Sequence, residues 1–293
     1  MHDACPGYGA EPFRTLCADF PDQSIYPAAD FRVEWGPIFH RGRLDGTAHL
    51  LVIGQDPAAQ ESIARRILVG GAGHRLQGLL AKLGLKRSYV MVNTYLYSVY
   101  GQGGGEAHND DLNIAKYRHR WFDALLAGAN VQGVIALGHL ADAAWQRYRT
   151  TPKGKTVQVT YQAVRHPTYP ESASKGDKQK QKQLMAQMLQ GWNAAIDAFR
   201  PVLTADKPAP LAHYGSTIKD SELAEIPEYD LPPGIPDWMR GSDGWATRTG
   251  TGAAKRRTIT VTIPKTNTLW PIRTASSIRW MDRRWHSPAA LSR

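Results

Sequence analysis

Asp56, Asn93, His139 and His166 each stand at, or just beyond, the end of a short apolar run. They supply one carboxylate, one carboxamide and two imidazoles. A carboxylate can activate a water or face a developing cation. A carboxamide offers a donor and an acceptor side by side and can read the edge of a heterocycle. A neutral imidazole can donate to a developing anion. Pro57 and Pro167 stiffen the chain beside Asp56 and His166. Taken singly, each residue has an ordinary structural role: Asp as turn former or cap, Asn as a left-handed residue, His as a loop residue with one hydrogen bond. His139 is read that way, as capping or packing at the start of its helix. The joint placement of the others carries the signal.

The elements that must position them are legible from periodicity. Four apolar runs read as strands: His49–Gly54, Tyr89–Asn93, Gly133–Leu137 and Val157–Val164. Near-continuous apolar runs suit central parallel strands. Helical stripes lie between and after them. Leu76, Leu79, Leu80 and Leu83 form one, stopped by Gly84, and Ile114, Tyr117, Trp121 and Leu125 form another. A third helix is expected over His139–Tyr148. A fourth carries Leu184, Met188, Trp192, Ile196 and Phe199 and ends before Pro201. The expectation is an α/β fold: a central four-stranded parallel sheet flanked by helices, over residues 1–203. In such a sheet a ligand sits outside the carboxyl ends of the strands, where the four polar residues lie. Prolines break every periodic segment past Leu203. Residues 204–293 are therefore read as an extension, with 204–257 an extended arm and Thr258–Ile263 an added edge strand.

Composition narrows the function classes. The chain has 293 residues, 42% apolar and 21% charged, with formal net charge +10. No apolar run approaches a membrane span, and the first residues lack the layout of a signal peptide. Cys5 and Cys17 are too few for a disulfide framework, a thiolate zinc site or an iron–sulfur cluster. A cytoplasmic protein without metal or small-molecule cofactor is the expectation. There is no phosphate-binding P-loop, no H-E-x-x-H and no G-x-S-x-G elbow, and Gly101–Gly105 reads as a flexible loop. The charge is uneven: residues 247–293 hold 10 Lys/Arg against 1 Asp/Glu. Trp238, Trp245, Trp270, Trp280 and Trp285 are interleaved with or precede those charges. Such a tail can neutralise phosphates and stack on bases, or be a solvated tail stapled down by its tryptophans.

Five segments, in order and spacing, resemble the uracil-DNA glycosylase superfamily: LLVIGQDPAAQE, ILVGGAG, YVMVNTYL, VIALGHLADAAW and RHPTYP. The resemblance covers residues 48–200. It implies that Asp56 activates the water that attacks the sugar; Glu61, in the same loop, is the other carboxylate that could serve. It implies that Asn93 reads the uracil edge and that His166 donates to the base oxygen as charge develops. The Gln55 backbone N–H would join that oxyanion site, and Thr168 would bind a DNA phosphate. Tyr169, Arg165, Lys175 and Lys178 would extend the DNA contact, although the lysines also fit a solvated face. Ala58 stands where the family has a Tyr that excludes a C5 methyl, and Leu68 where related branches stack a Phe on the base. The implied protein is a monomeric, monofunctional glycosylase acting on DNA that contains uracil, and on some 5-substituted uracils or deaminated purines, associated with the nucleoid. A non-catalytic nucleic-acid or abasic-site binder on the same fold is the alternative. Tyr95 or Tyr97 could fill the space that Ala58 leaves.

Overall fold

The computed structural model describes residues 7–101, 105–128, 130–241, 244–248 and 258–263. Trp270, Trp280 and Trp285, with most of the basic tail, lie outside the described residues. The strands are β1 (Arg41–Gly42), β2 (Leu50–Gly54), β3 (Tyr89–Asn93), β4 (Gly133–Leu137), β5 (Thr160–Val164), β6 (Ala246–Arg248) and β7 (Ile259–Val261). The helices are α1 (Phe13–Ala18), α2 (Ala59–Ala64), α3 (Gly71–Lys82), α4 (Leu112–Leu126), α5 (His139–Arg149), α6 (Pro152–Thr156), α7 (Tyr169–Ser174), α8 (Lys178–Phe199) and α9 (Trp238–Gly241).

The central sheet has the order β1-β3-β2-β4-β5. The four expected strands run parallel, and β1 adds a fifth, antiparallel to β3. Two residues are too few to show an alternation, so β1 leaves no periodic trace. β5 begins at Thr160, later than expected, because Thr151 caps a short helix that uses the preceding residues. Side chains alternate across the sheet. Leu51, Ile53, Val92, Val134 and Ala136 face the stripes of α4 and α5, including Trp121, Phe122 and Trp145. Leu50, Val52, Met91, Ile135 and Leu137 face α3 and α8, including Leu76, Leu80, Trp192 and Phe199. Two-sided burial explains why these strands read as unbroken apolar runs.

The connection β2–α3–β3 runs toward one edge and β4–α5–β5 toward the other. The order therefore reverses between β2 and β4, and in such sheets a ligand sits outside the carboxyl ends of the strands at that point. Among the described residues, no helix is long and apolar enough to cross a membrane.

Past Leu203 the chain is irregular but anchored. Asp206 accepts from the backbone N–H groups of Lys86, Arg87 and Ser88 at 2.6, 2.6 and 2.9 Å. Tyr214 and Asn193 exchange side-chain and backbone bonds at 2.8 and 2.9 Å. Ile226 is wholly buried. The segment expected as an added edge strand does not join the central sheet. Its residues Ile259–Val261 pair with Ala246–Arg248 in a separate antiparallel sheet. The reason is a partner closer in the chain: Trp245 is buried and seeds that hairpin against α2.

Candidate active site at the carboxyl edge of the sheet

Asn93 ends β3 and is paired in register with Gly54, the last residue of β2. A Cβ on Gly54 would come within 2.3 Å of Asn93 Oδ1, so only glycine leaves room for that carboxamide. Asn93 is 2% exposed, and its Oδ1 has no hydrogen-bond partner within the protein. Leaving a buried acceptor unpaired costs roughly 1–3 kcal/mol. Such an atom is held ready for an N–H donor that the fold itself does not supply.

Asp56 follows β2 by two residues, and its Oδ2 accepts from Val99 N–H at 3.0 Å. Burial pushes its carboxyl up to about 6. The Val99 N–H, the Arg248 charge and the Gln55 side chain pull it down, and the neighbouring Glu61 pushes it up. Asp56 is thus largely ionised at neutral pH and is protonated within the mildly acidic range.

Glu61, one turn into α2, is buried. It accepts from Ala58 N–H at 3.0 Å and from Val69 N–H at 3.3 Å. Its carboxylate ties the Asp56 loop to the 68–70 segment. That engagement makes it a brace of the loop, unlike Asp56, which remains partly exposed.

His166 follows β5 by two residues, and β5 lies two strand positions from β2, which leads into Asp56. Thr168 N–H points at His166 Nδ1 at 3.3 Å, and the Thr168 hydroxyl lies 3.0 Å from the same nitrogen. A backbone N–H can only donate, so Nδ1 is the acceptor and the neutral ring carries its proton on Nε2. Burial, reinforced by the Arg75 charge, lowers His166 to about 4. The imidazole is therefore neutral at pH 7 and a donor through Nε2. Arg75 also holds the loop: it donates to Pro167 O at 2.5 Å and grips Glu171 with two nitrogens at 2.7 and 3.0 Å.

Leu68 closes the corner beside Gly54, where its Cδ1 would lie 3.7 Å from a Cβ on that residue. Its backbone is left-handed, with φ 53°. That conformation costs a leucine roughly 1–2 kcal/mol. It is held from below, since Arg41 Nη1 donates to Leu68 O at 2.5 Å. Gly73 allows the same carbonyl to sit on the start of α3, because a Cβ there would meet it at 1.8 Å.

The remaining expected residues spread outward. Gln55 precedes Asp56, and its side chain helps to hold the Asp56 carboxyl down. Ala58 is exposed at the start of α2. Arg165 is exposed, with its guanidinium 4.4 Å above the Tyr169 ring. Lys175 and Lys178 are exposed at the α7–α8 turn, and no described hydrogen bond joins them to Asp56, Asn93 or His166. Asp177, not a lysine, caps α8, accepting from Gln179 N–H and Lys180 N–H at 2.9 and 3.0 Å. His139 neither caps nor packs; its exposed ring lies 3.4 Å from Glu106. Tyr95 and Tyr97 are core residues, with hydroxyls bonded to Gly105 O at 2.6 Å and Pro21 O at 2.9 Å. Among the described residues, no group of three His, Cys, Asp or Glu side chains is placed to hold a metal ion.

Sequence reasoning missed Val99, Arg75, Arg41, Arg32 and Arg248. Arg32 donates to Ser98 Oγ at 3.2 Å and to Val99 O, steadying the segment that serves Asp56. Val99, Arg75 and Arg32 lie in no strand and no motif, and Arg41 and Arg248 stand at the ends of strands too short to show an alternation, so no local signal marked them.

The protein is an α/β protein whose sheet carries a carboxylate, an unpaired carboxamide oxygen and a neutral imidazole at its reversal point, the place where open sheets of this kind hold ligands. The family model of the uracil DNA glycosylase superfamily matches residues 41–226, and the chain belongs to that superfamily. Membership supports a DNA glycosylase-like function in general. A search of curated proteins finds no match to the chain.

Proposed function

We propose that the protein is a monofunctional DNA glycosylase that hydrolyses the N-glycosidic bond of uracil in DNA and leaves an abasic site. The observation that carries this reading is the opposed state of two groups at the sheet's carboxyl edge: Asp56 is ionised above about pH 6, while His166 is neutral with its proton on Nε2. N-glycosidic hydrolysis develops positive charge on the sugar and negative charge on the departing base. A carboxylate suits the first and a neutral N–H donor the second. The base must be flipped from the stack to reach that edge. Asn93 Oδ1, the buried acceptor without a partner, receives the uracil N3–H. Cytosine presents a ring nitrogen without a proton at that position and is rejected. Asp56 orients a water toward the anomeric carbon. The carbon–nitrogen bond breaks with its electron pair going to the base, and His166 Nε2–H hydrogen-bonds the base oxygen that takes up the charge. The water adds to the sugar and loses a proton to Asp56.

DNA is the partner in this reading, and the protein works as a monomer on the nucleoid in the cytoplasm. In this reading Arg165, Thr168 and Tyr169 of the His166 loop and Lys175 and Lys178 of the α7–α8 turn contact the DNA. The test is incubation of the full chain with single- and double-stranded uracil DNA, followed by alkali. Strand cleavage at uracil is expected. Asp56→Asn and His166→Ala should each lower single-turnover excision about 10²–10³-fold, the usual loss for such a group, with a far smaller change in binding. Near-wild-type rates in both variants would refute the assignment. Tight abasic-site binding with no excision of any base would favour the non-catalytic reading.

A further inference from the structure

Arg118 lies among the buried residues of α4 and is 2% exposed, yet its Nε, Nη1 and Nη2 all lack a hydrogen-bond partner within the protein. It lines a cavity between α4, α5 and the segment that follows Asn93, together with Thr94, Tyr95, Asn109 and Arg147. The cavity measures about 10 Å³, room for one water-sized particle. It is separate from the candidate active site. Successive side chains alternate across a sheet. Met91 packs on the α3 face and Val92 on the α4 face, so Asn93 returns to the α3 face beside Leu68, while Thr94 lines the cavity against α4.

We propose that Arg118 is the centre of an internal site for one small monovalent anion of the halide class. A guanidinium keeps its charge throughout the working range and carries five N–H donors. Among the described residues no carboxylate bonds it. Those around the cavity are committed elsewhere. Asp111 accepts from Asn113 N–H and Ile114 N–H at 2.8 and 3.2 Å, Asp30 is bonded to His108 at 2.9 Å, and Asp110 pairs with Arg147. Burial works against the Arg118 charge, and the groups that favour it are the hydroxyls of Tyr26 and Tyr117. Burial pushes both hydroxyls up, Tyr117 to about 12, so neither is anionic at pH 7. A buried charge without a counter-charge is costly. A water would meet the N–H groups and leave that charge uncompensated; a halide does both. Size excludes a phosphate or a nucleotide. Asn109 Oδ1 is buried and unpartnered at the same cavity, while Nδ2 reaches Asp110 at a long 3.4 Å. Turning that carboxamide about its last bond presents its N–H donors to the anion. The ion would join α4 to the chain that leaves Asn93, and a species that binds only the folded chain stabilises it.

The experiment compares thermal melts of the full chain in sodium chloride, sodium bromide and sodium gluconate at one ionic strength, so that screening is equal. Wild type should melt several degrees higher in either halide and follow the halide concentration as one site requires. Arg118→Met, which removes the charge and keeps an unbranched stem, should melt at the same temperature in all three salts. Wild-type crystals soaked in bromide should show an anomalous peak beside the Arg118 guanidinium. Equal wild-type melts in halide and gluconate overturn the proposal, and a bromide peak without that stabilisation is an adventitious ion only and overturns it too. So does a halide dependence that survives in Arg118→Met. If Arg118→Met does not fold, the wild-type protein decides: halide stabilisation with bromide at Arg118 supports the site, and an ordered oxygen there without anomalous signal makes the occupant a water and refutes it.

Discussion

Asp230, in the arm past the main domain, lies 3.3 Å from Arg41 Nε, and both side chains are almost wholly buried. Tyr89 donates its hydroxyl to the same carboxylate at 2.7 Å, and Arg41 in turn holds the strained carbonyl of Leu68. A residue of the irregular arm thus braces the corner beside Asn93. Removing one partner of a buried ion pair strands the other charge and typically costs about 3–5 kcal/mol. Asp230→Ala should lose that much in urea unfolding, and Asp230→Asn, which keeps a hydrogen bond to Tyr89, should lose less. A loss under about 1 kcal/mol for the alanine variant would mean that Arg41 is held by other contacts.

Asp56 carries a stability cost whose pH window follows from its shift. Its folded value, about 6, is above the ordinary 3.8. Between those values the folded state binds more protons than the unfolded state, so stability falls as pH rises from about 4 to about 6 and is level above. Asp56→Asn removes the ionisable group while keeping an oxygen for Val99 N–H. The variant should be more stable than wild type above pH 6, by up to about 3 kcal/mol, and nearly equal to it below pH 4. Paired melts at pH 4 and pH 8 measure this. An equal difference at both values would show that ionisation is not the cause.

Base range should follow Ala58. The side chain is exposed at the start of α2, and Tyr95 and Tyr97 are locked in the core by their hydroxyl bonds, so neither replaces the missing bulk. A pocket discriminates against an added small group by only about 1–3 kcal/mol unless something blocks it. Wild type is expected to excise uracil together with some 5-substituted uracils or deaminated purines. Ala58→Tyr should narrow the range toward uracil. A wild-type protein strict for uracil across a panel of modified bases would contradict the role given to this position.

Residues 264–293 carry much of the basic excess but none of the described hairpin. Deleting them alone should leave the melting temperature unchanged and weaken DNA binding. The slope of log affinity against log salt should fall by about 0.9 for each phosphate that the tail had neutralised. An unchanged slope would take the tail off the DNA. A large fall in melting temperature would instead mark its tryptophans as staples.

The sequence by itself determined the layers of this protein and the residues at the sheet's edge. Alternation, helical stripes and strand ends are local patterns, set by the geometry of a strand or a helix turn. They placed Asp56, Asn93 and His166 on one edge because parallel strands bring all their carboxyl ends to the same side. The tertiary structure decided which groups tune those three. Arg41 meets Asp230, Arg75 meets the Pro167 carbonyl, and Arg32 meets Val99 O across distances of chain that carry no periodic signal. It also decided that Ile259–Val261 would pair with Ala246–Arg248 and not with the central sheet. A strand's hydrogen-bonding edge accepts any suitable neighbour. Which neighbour it meets depends on where buried side chains such as Trp245 have already fixed the chain, and that is a property of the packed whole.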